Sequence, residues 1–278
     1  MKILVAVKRV ADPDNLNKIK LSGQGAVDVS ALEPKANPYD EYALETALRL
    51  TENGTNPKQR LGEVTVVTLA PKTSEQMLRA MLGTGADRAI RVDAADDELD
   101  GGLVARALKA IVDSEKPDLV LLGYQQTEHE SCEVGAMLAE QLGWPQATFA
   151  GSIKSEADKA LVVGREVDGA TAFVRLSLPG VVTVIDKIVH PKSVQSSTTP
   201  PTHAYQDGVR FAALMAIMAA KKKPLIETKL SDLVPEPSKR ALRVRYTRAV
   251  LAPARSAGVK VKTVKELVAK LRTEAKVL

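Results

Sequence analysis

The sequence predicts a doubly wound α/β fold on a mostly parallel sheet, with an antiparallel extension and an extended C-terminal arm. Three observations carry this. The short apolar runs at 2–7 (KILVAV), 63–69 (EVTVVTL) and 119–122 (LVLL) have the composition of strands buried on both faces. Segments with helical spacing separate them, and strands alternating with helices imply right-handed βαβ units. After Trp144-Pro145 the pattern changes to closely spaced strands around the hairpin signal Asp168-Gly169.

The first strand follows directly on Met1, without the pattern of a secretory leader, and 8–14 (KRVADPD) is a polar loop at its carboxyl end. Asn37-Pro38-Tyr39-Asp40-Glu41 reads as a helix start, with Asn as N-cap, Pro at the first helical position and acids in the first turn. Ala43, Leu44, Ala47 and Leu48 supply its apolar stripe. After the strand at 63–69, Thr73-Ser74-Glu75-Gln76 has capping-box spacing and opens a helix with Met77, Leu78, Met81 and Leu82 inward. Residues 83–87 break that helix. A short strand is expected at 89–92, then a helix over 96–113 on Leu103, Ala107, Leu108 and Ile111.

Residues 117–143 organise the rest. A buried strand ends at Gly123, and Val134, Met137, Leu138 and Leu142 recur at helical spacing before the stop signal Gly143. Between them lies an eleven-residue loop, 124–134, where connections of this kind usually take about 2 to 6 residues. A long polar loop at the carboxyl end of a parallel strand, feeding a helix N-terminus, is where α/β proteins bind nucleotides and other anions. Further on, strands are expected at 148–153, 160–167, 171–176 and 181–185. Residues 189–207 are rich in Ser, Thr, Pro and His without periodicity and read as a long exposed loop. Residues 210–223 (RFAALMAIMAAKKK) read as a short apolar helix whose three lysines suit a helix C-terminus, with Pro224 as the stop. The spacing of Leu214, Ile217 and Met218 permits a core helix there. Thr263-Val264-Lys265-Glu266 opens a final amphipathic helix on Leu267, Leu271 and Val277 or its neighbours.

Composition narrows the function. One Trp, five Tyr and three Phe leave the core to aliphatic residues. The net charge is +5, with basic residues concentrated in the last third. Almost no aromatic residues interleave with them there, so an acidic protein partner or simple solubility is expected, and no nucleic acid. A single cysteine, Cys132, rules out an internal disulfide and a zinc cluster and fits a reducing compartment. The apolar run 211–220 is far short of a membrane span, so a soluble, cytoplasmic protein with no membrane span is expected. There is no G-x-x-x-x-G-K-[ST], no G-x-G-x-x-G after the first strand and no G-x-S-x-G. His129, His190 and His203 lack metal-ligand spacing. Cys132, near His129 and a helix start, could be a nucleophile, but a lone Cys there is more often a packing residue. Glu128 and Glu130 could be general bases, but no partner acid accompanies them. Nothing here describes an enzyme acting alone.

Several stretches together resemble the beta subunit of electron-transfer flavoproteins: LVAVKRV at 4–10, NPYDEYALE at 37–45, GADRAI at 85–90, PDLVLLG at 117–123, GWPQATFA at 143–150, GREVDG at 164–169, LMAIMAAKKK at 214–223 and AGVKVKTVKELVAKL at 257–271. The resemblance covers nearly the whole chain. It implies an adenine-nucleotide-binding, Rossmann-like domain over 1–188, an inserted loop and partner-docking segment over 189–223, and a C-terminal arm over 224–278 that packs on an alpha subunit. It further implies FAD held mainly by the alpha subunit and a structural AMP in this chain. The AMP contacts would fall on Ala6, Asn37, Pro38, Tyr39, Asp40, Leu69 and Gly123, and on the loop residues Gln125, Gln126, Thr127, Glu128, His129, Glu130, Ser131, Cys132, Glu133 and Val134. Arg165 and Glu166 match residues at the flavin and subunit boundary. Leu214, with Met215 beside it, matches a leucine that docks onto flavin dehydrogenases such as acyl-CoA dehydrogenase, from which electrons pass to a respiratory or other acceptor. Two stretches depart from the family pattern. The loop carries Thr127-Glu128-His129-Glu130 where aspartates are usual, and an inserted loop, Pro191 to Asp207, precedes Arg210. Two alternatives stand beside this reading: a bifurcating flavoprotein subunit with a second FAD in the beta site, and an ATP-cleaving α/β enzyme. The missing Gly-rich phosphate motif counts against the latter.

Overall fold

The computed structural model describes residues 1–22, 25–54, 56–156, 159–250, 253 and 257–278. They form two compact units, Met1–Lys20 with Asp28–Tyr246, and Leu21–Val27 with Thr247–Leu278.

The larger unit is built on one mixed sheet. Its strands are β1 Lys2–Ala6, β2 Glu63–Leu69, β3 Arg88–Asp93, β4 Leu119–Gly123, β5 Gln146–Ser155, β6 Ala160–Val167, β7 Ala170–Ser177, β8 Gly180–Val184, β9 Val194–Gln195 and β10 Leu225–Lys229. The order across the sheet is β7-β6-β5-β8-β4-β1-β2-β3-β10, with β9 beside β5. Every neighbouring pair from β10 to β5 is parallel. β5, β6 and β7 pair antiparallel, so the parallel core carries the expected antiparallel extension. The continuous apolar runs have a direct cause, because both sheet faces are covered. Ile3, Val5 and Val7 join the core under α1 (Pro38–Thr51) and α2 (Glu75–Thr84). Leu4 and Ala6 join the core under α3 (Gly101–Glu115) and α4 (Val134–Leu142). Burying a leucine or valine fully contributes roughly 1.5–3 kcal/mol.

Several local expectations change. The capping box expected at Thr73 does not form: Thr73 lies in a 3-10 turn over Lys72–Ser74, and α2 starts at Glu75 without a side-chain cap. α3 begins at Gly101 rather than 96, because Asp100 is the residue that caps it: its Oδ1 accepts the Leu103 N–H at 2.7 Å. The apolar helix of the last third is only α5, Leu214–Ala220. It lies close on α2, where a Cβ on Gly83 would stand 3.4 Å from Ala212 and Ile217. Lys223 is no solvated helix end. Its Nζ donates to the carbonyls of Leu82 and Ala86 at 2.8 and 2.6 Å, closing the C-terminus of α2. Leu225–Lys229, which the sequence reading passes over, becomes the parallel edge strand β10, and α6 (Leu230–Leu233) follows it. Residues 189–207 are not a free loop. β9 joins the sheet, and Arg49 of α1 donates to the carbonyls of Val189, His190, Gln206 and Gly208 at 2.9–3.0 Å.

An ion network ties the lower ends of the strands together. Glu115, the last residue of α3, accepts from Lys2 Nζ at 3.0 Å and from Arg88, whose Nε also donates to Glu63 at 2.7 Å. The Arg88 guanidinium, with help from Lys2, pulls the Glu115 carboxyl down to about 2 from its ordinary 4.5. A depressed carboxylate stabilises the fold above its unfolded pKa and loses that contribution as pH falls through the folded one. Stability should therefore drop by up to about 3 kcal/mol between pH 4.5 and pH 2 on this account. Glu115→Gln should flatten the stability profile across that window, as read by chemical denaturation. A slope identical to that of the parent chain would refute the assignment.

Within the smaller unit, α7 (Val264–Thr273) starts at Thr263, whose Oγ1 accepts the Glu266 N–H at 3.2 Å. Glu266 reaches one residue further back, to the Lys262 N–H at 3.0 Å, so the capping box is closed one position early. Val259, Val264 and Val277 are exposed there. No helix of the described residues is long and apolar enough to cross a membrane.

Candidate functional site

β1 lies between β2 on one side and β4 on the other, so the loops leaving β1 and β4 diverge at the carboxyl end of the sheet. A crevice at such a switch point is the usual ligand site of open α/β sheets. Here its frame is fastened by the start of α1. Buried Asp40 accepts the Lys8 N–H on one oxygen and the Gly123 N–H on the other, both at 2.8 Å, and so clamps the ends of β1 and β4. The Asn37 N–H donates to the Lys8 carbonyl at 2.9 Å. A Cβ on Gly123 would stand 2.5 Å from Tyr39 Cβ, so only glycine lets the α1 start come this close. Burial pushes the Asp40 carboxyl up to about 6, against the pull of the two N–H donors. An acid with a raised folded pKa favours the fold at low pH and loses that advantage as pH rises through the folded value. The fold thus bears a cost at neutral pH to keep an ionised Asp40 at this spot.

Asn37 does not act as the expected side-chain cap of α1. Its Nδ2 instead donates to the Gln125 carbonyl at 2.9 Å, joining the α1 start to the loop. Its Oδ1 has no partner although the residue is only 1% exposed. A buried amide oxygen left unpaired costs about 1–3 kcal/mol, so it is free to accept a hydrogen bond from a ligand. Ala6 and Leu69 end the neighbouring strands β1 and β2.

The loop from Tyr124 to Glu133 is anchored on Lys8. The Lys8 ammonium holds Glu128 at 2.6 Å and also Gln126, while the second oxygen of Glu128 accepts the Ala11 N–H at 3.1 Å. Glu130 and Cys132 adopt left-handed backbone, φ 49° and 54°, which turns the chain sharply into α4. Thr127 is half-buried and Ser131 exposed. The His129 ring stacks on Tyr246, centroids 4.5 Å apart and planes 8° from parallel. Burial raises the Cys132 thiol above its ordinary pKa, the opposite of what an activated nucleophile needs. Glu133 precedes α4 without a side-chain cap, so the first N–H groups of Val134–Leu142 face the loop without an intrahelical acceptor. Its carboxylate leans instead on Gly101, where an added Cβ would lie 2.2 Å from Oε1.

The structure therefore brings Asn37, Pro38, Tyr39, Asp40, Gly123 and the loop together. Arg165 lies elsewhere, on β6, where its Nε and Nη2 donate to Thr148 O and Oγ1 at 2.8 and 2.6 Å. Rings connect its neighbourhood to the loop: Phe149, next to Thr148, lies 5.4 Å from Tyr124, which lies 4.7 Å from Tyr39. Leu214 and Met215 stand apart on α5. The sequence reading missed Lys8 as a site residue; its signal was the Lys8-Arg9 pair just past the predicted first strand. Among the described residues no cluster of three His, Cys, Asp or Glu could hold a metal.

Comparison with known proteins places this arrangement. The model of a family described as the electron transfer flavoprotein domain matches residues 25–233. The electron transfer flavoprotein subunit beta of Bradyrhizobium diazoefficiens is 38% identical over 278 residues, covering 100% of both chains. The human subunit beta is 37% identical over 275 residues, 98% of this chain and 97% of that one. The mitochondrial subunit beta of Arabidopsis thaliana is 36% identical over 279 residues, 100% of both. With a family match across most of its length and relatives that align end to end, this chain belongs to the electron transfer flavoprotein beta subunits.

Proposed function

We propose that the chain pairs with an electron transfer flavoprotein alpha subunit, holds a structural AMP at the β1–β4 crevice, and helps carry electrons from a flavin dehydrogenase to a respiratory or other acceptor. The observation that carries the nucleotide part is Asn37 Oδ1, buried and unpartnered on a side chain whose Nδ2 is tied to the loop that leads into the uncapped α4. An amide acceptor at one end and backbone N–H donors at the other fit an adenine base and a phosphate. Asn37, Tyr39 and Asp40 would border the adenosine, and Cys132, Glu133 and Val134 the phosphate. FAD, held mainly by the alpha subunit, supplies the redox chemistry when bound. Arg165 would then stand at the boundary as a fixed cation, since Thr148 already locks its guanidinium on two atoms. The arm over 224–278 packs on the alpha subunit through the part beyond β10 and α6, which suits its exposed valines. In this reading the chain is a carrier subunit and not a catalyst by itself. A cytoplasmic location is proposed, although the Arabidopsis thaliana relative is named as mitochondrial.

Co-purifying the chain with its alpha subunit and analysing what denaturation releases tests the reading. One FAD and one AMP per pair are expected. Two flavins per pair would favour the bifurcating type, and ATP turnover without flavin would favour the enzyme reading. A pair that releases no adenine nucleotide would refute the assignment of the crevice.

A further inference from the structure

We propose that Glu128 sets the charge selectivity of the crevice: by holding Lys8 it admits a nucleotide with a single phosphate and turns away longer phosphate chains. This rests on the reading above that the crevice takes an adenine nucleotide, and it names the residue that decides which one.

The loop from 124 to 133 contains Glu128, Glu130 and Glu133 and no Lys or Arg. The positive charge that faces it comes from Lys8, and that charge is already engaged. Lys8 Nζ lies 2.6 Å from Glu128 Oε2 and also meets Gln126. The neighbouring Arg9 is held by Asp96. Glu128 cannot easily give way, because its other oxygen accepts the Ala11 N–H at 3.1 Å. Burial pushes its carboxyl up, but Lys8 more than offsets this and leaves it below its ordinary value, so it is ionised at neutral pH.

An arriving phosphate therefore meets two attractions. The start of α4 offers unsatisfied N–H groups and the positive end of a helix dipole, equivalent to about half a unit charge. The Lys8 ammonium offers the rest, and only if the phosphate shares it with Glu128. That suffices for one phosphate group. A second or third phosphate adds charge next to carboxylates whose nearest described cations, Lys8 and Arg9, are already engaged, and like charges at a few ångströms repel. The buried, unpartnered Asn37 Oδ1 points independently to a ligand in this crevice, and its recognition of a base is indifferent to phosphate count. Selection by charge thus falls to the Lys8–Glu128 pair.

Equilibrium dialysis of the full-length chain in complex with its alpha subunit, freed of nucleotide by unfolding and refolding, tests this with AMP, ADP and adenosine as probes. The parent complex should bind AMP at least about tenfold more tightly than ADP. Glu128→Gln keeps the size and the acceptor for Ala11 but removes the charge, and should narrow that ratio by about tenfold. Lys8→Met should weaken AMP by about tenfold while leaving adenosine within about twofold. The second variant decides the matter if Glu128→Gln does not fold. An unchanged ratio in folded Glu128→Gln, loss of both nucleotides in that variant, or full AMP affinity in Lys8→Met would each overturn the selectivity role. A parent complex that binds none of the three probes would overturn the nucleotide reading itself, and the selectivity with it.

Discussion

Replacing Arg49 with methionine should destabilise the protein by about 3–5 kcal/mol, the range expected when one partner of a buried charge cluster is removed. Arg49 is only 1% exposed and sits inside the sheet-facing side of α1. Its Nε pairs with Glu45 at 2.7 Å, and its two terminal nitrogens donate to four carbonyls from the segment 189–208. Its guanidinium lies 4.8 Å from the centre of the Tyr205 ring, and the Tyr205 hydroxyl donates back to the Arg49 carbonyl at 3.2 Å. Burial pushes the Glu45 carboxyl up, but Arg210 and Arg49 together more than offset it and hold it below its ordinary value. Methionine matches the length of the stem and none of the donors. It takes the Arg49 donor from the Gln206 and Gly208 carbonyls, leaves those of Val189 and His190 with only the Gly208 and Ser193 N–H groups, and makes Glu45 dependent on Arg210 alone. A lysine cannot replace the planar fork either. A loss of this size corresponds to a fall of roughly 10 °C in melting temperature for a chain of this length, and protease should cut first within 189–208. A loss of under about 1 kcal/mol would mean that β9 and the Arg210–Glu52 pair hold the segment without Arg49.

That cluster also marks where sequence reading stops. Arg49 stands in the last turn of an amphipathic helix, a place where a basic residue is ordinarily a solvated complement to the helix dipole. Nothing within a turn of it reveals that a polar segment 140 residues onward will supply the acceptors. Local patterns served well where the cause was local. The buried strands showed as apolar runs because both faces are covered, and Asp168-Gly169 marked the β6–β7 hairpin because a tight turn needs a residue free to take positive φ. The start of α1 showed in the Asn-Pro-acid pattern, and the loop stood out because it is longer than a plain connection requires. The local reading failed where tertiary partners reassigned a group. Asn37 turned its side chain from capping to the loop, and Lys223 turned from solvent to the carbonyls that close α2. β10 was missed because an edge strand with a mostly exposed face, LIETK, has no continuous apolar run.

Leu214→Ala should cut electron transfer from the dehydrogenase by about tenfold or more while leaving folding stability within about 0.5 kcal/mol. The two halves of that expectation have separate causes. Helical spacing of Leu214, Ile217 and Met218 permits a core helix, but the core role falls to Ala220, which is 0% exposed. Leu214 is 74% exposed, Met215 77% and Phe211 91%. Truncating a side chain in solvent forms no cavity, and surface substitutions of this kind rarely move stability by more than about 0.5 kcal/mol. α5 is nevertheless rigidly presented, because Arg79 donates to the Ala220 and Lys223 carbonyls at 3.1 and 2.8 Å and Lys223 closes α2 in return. Three large apolar side chains held out on a fixed support fit an anchor better than an accident of the surface. Burying one leucine in a partner pocket is worth about 1.5–3 kcal/mol, and each 1.4 kcal/mol is tenfold in affinity. In a small, transient electron-transfer interface that single anchor dominates. The measurement is dehydrogenase-dependent reduction of the purified heterodimer, alongside a melting curve and a flavin count. A stable, flavin-loaded variant with an unchanged rate would remove Leu214 from the docking surface and direct attention to the segment 189–208 that Arg49 holds in place.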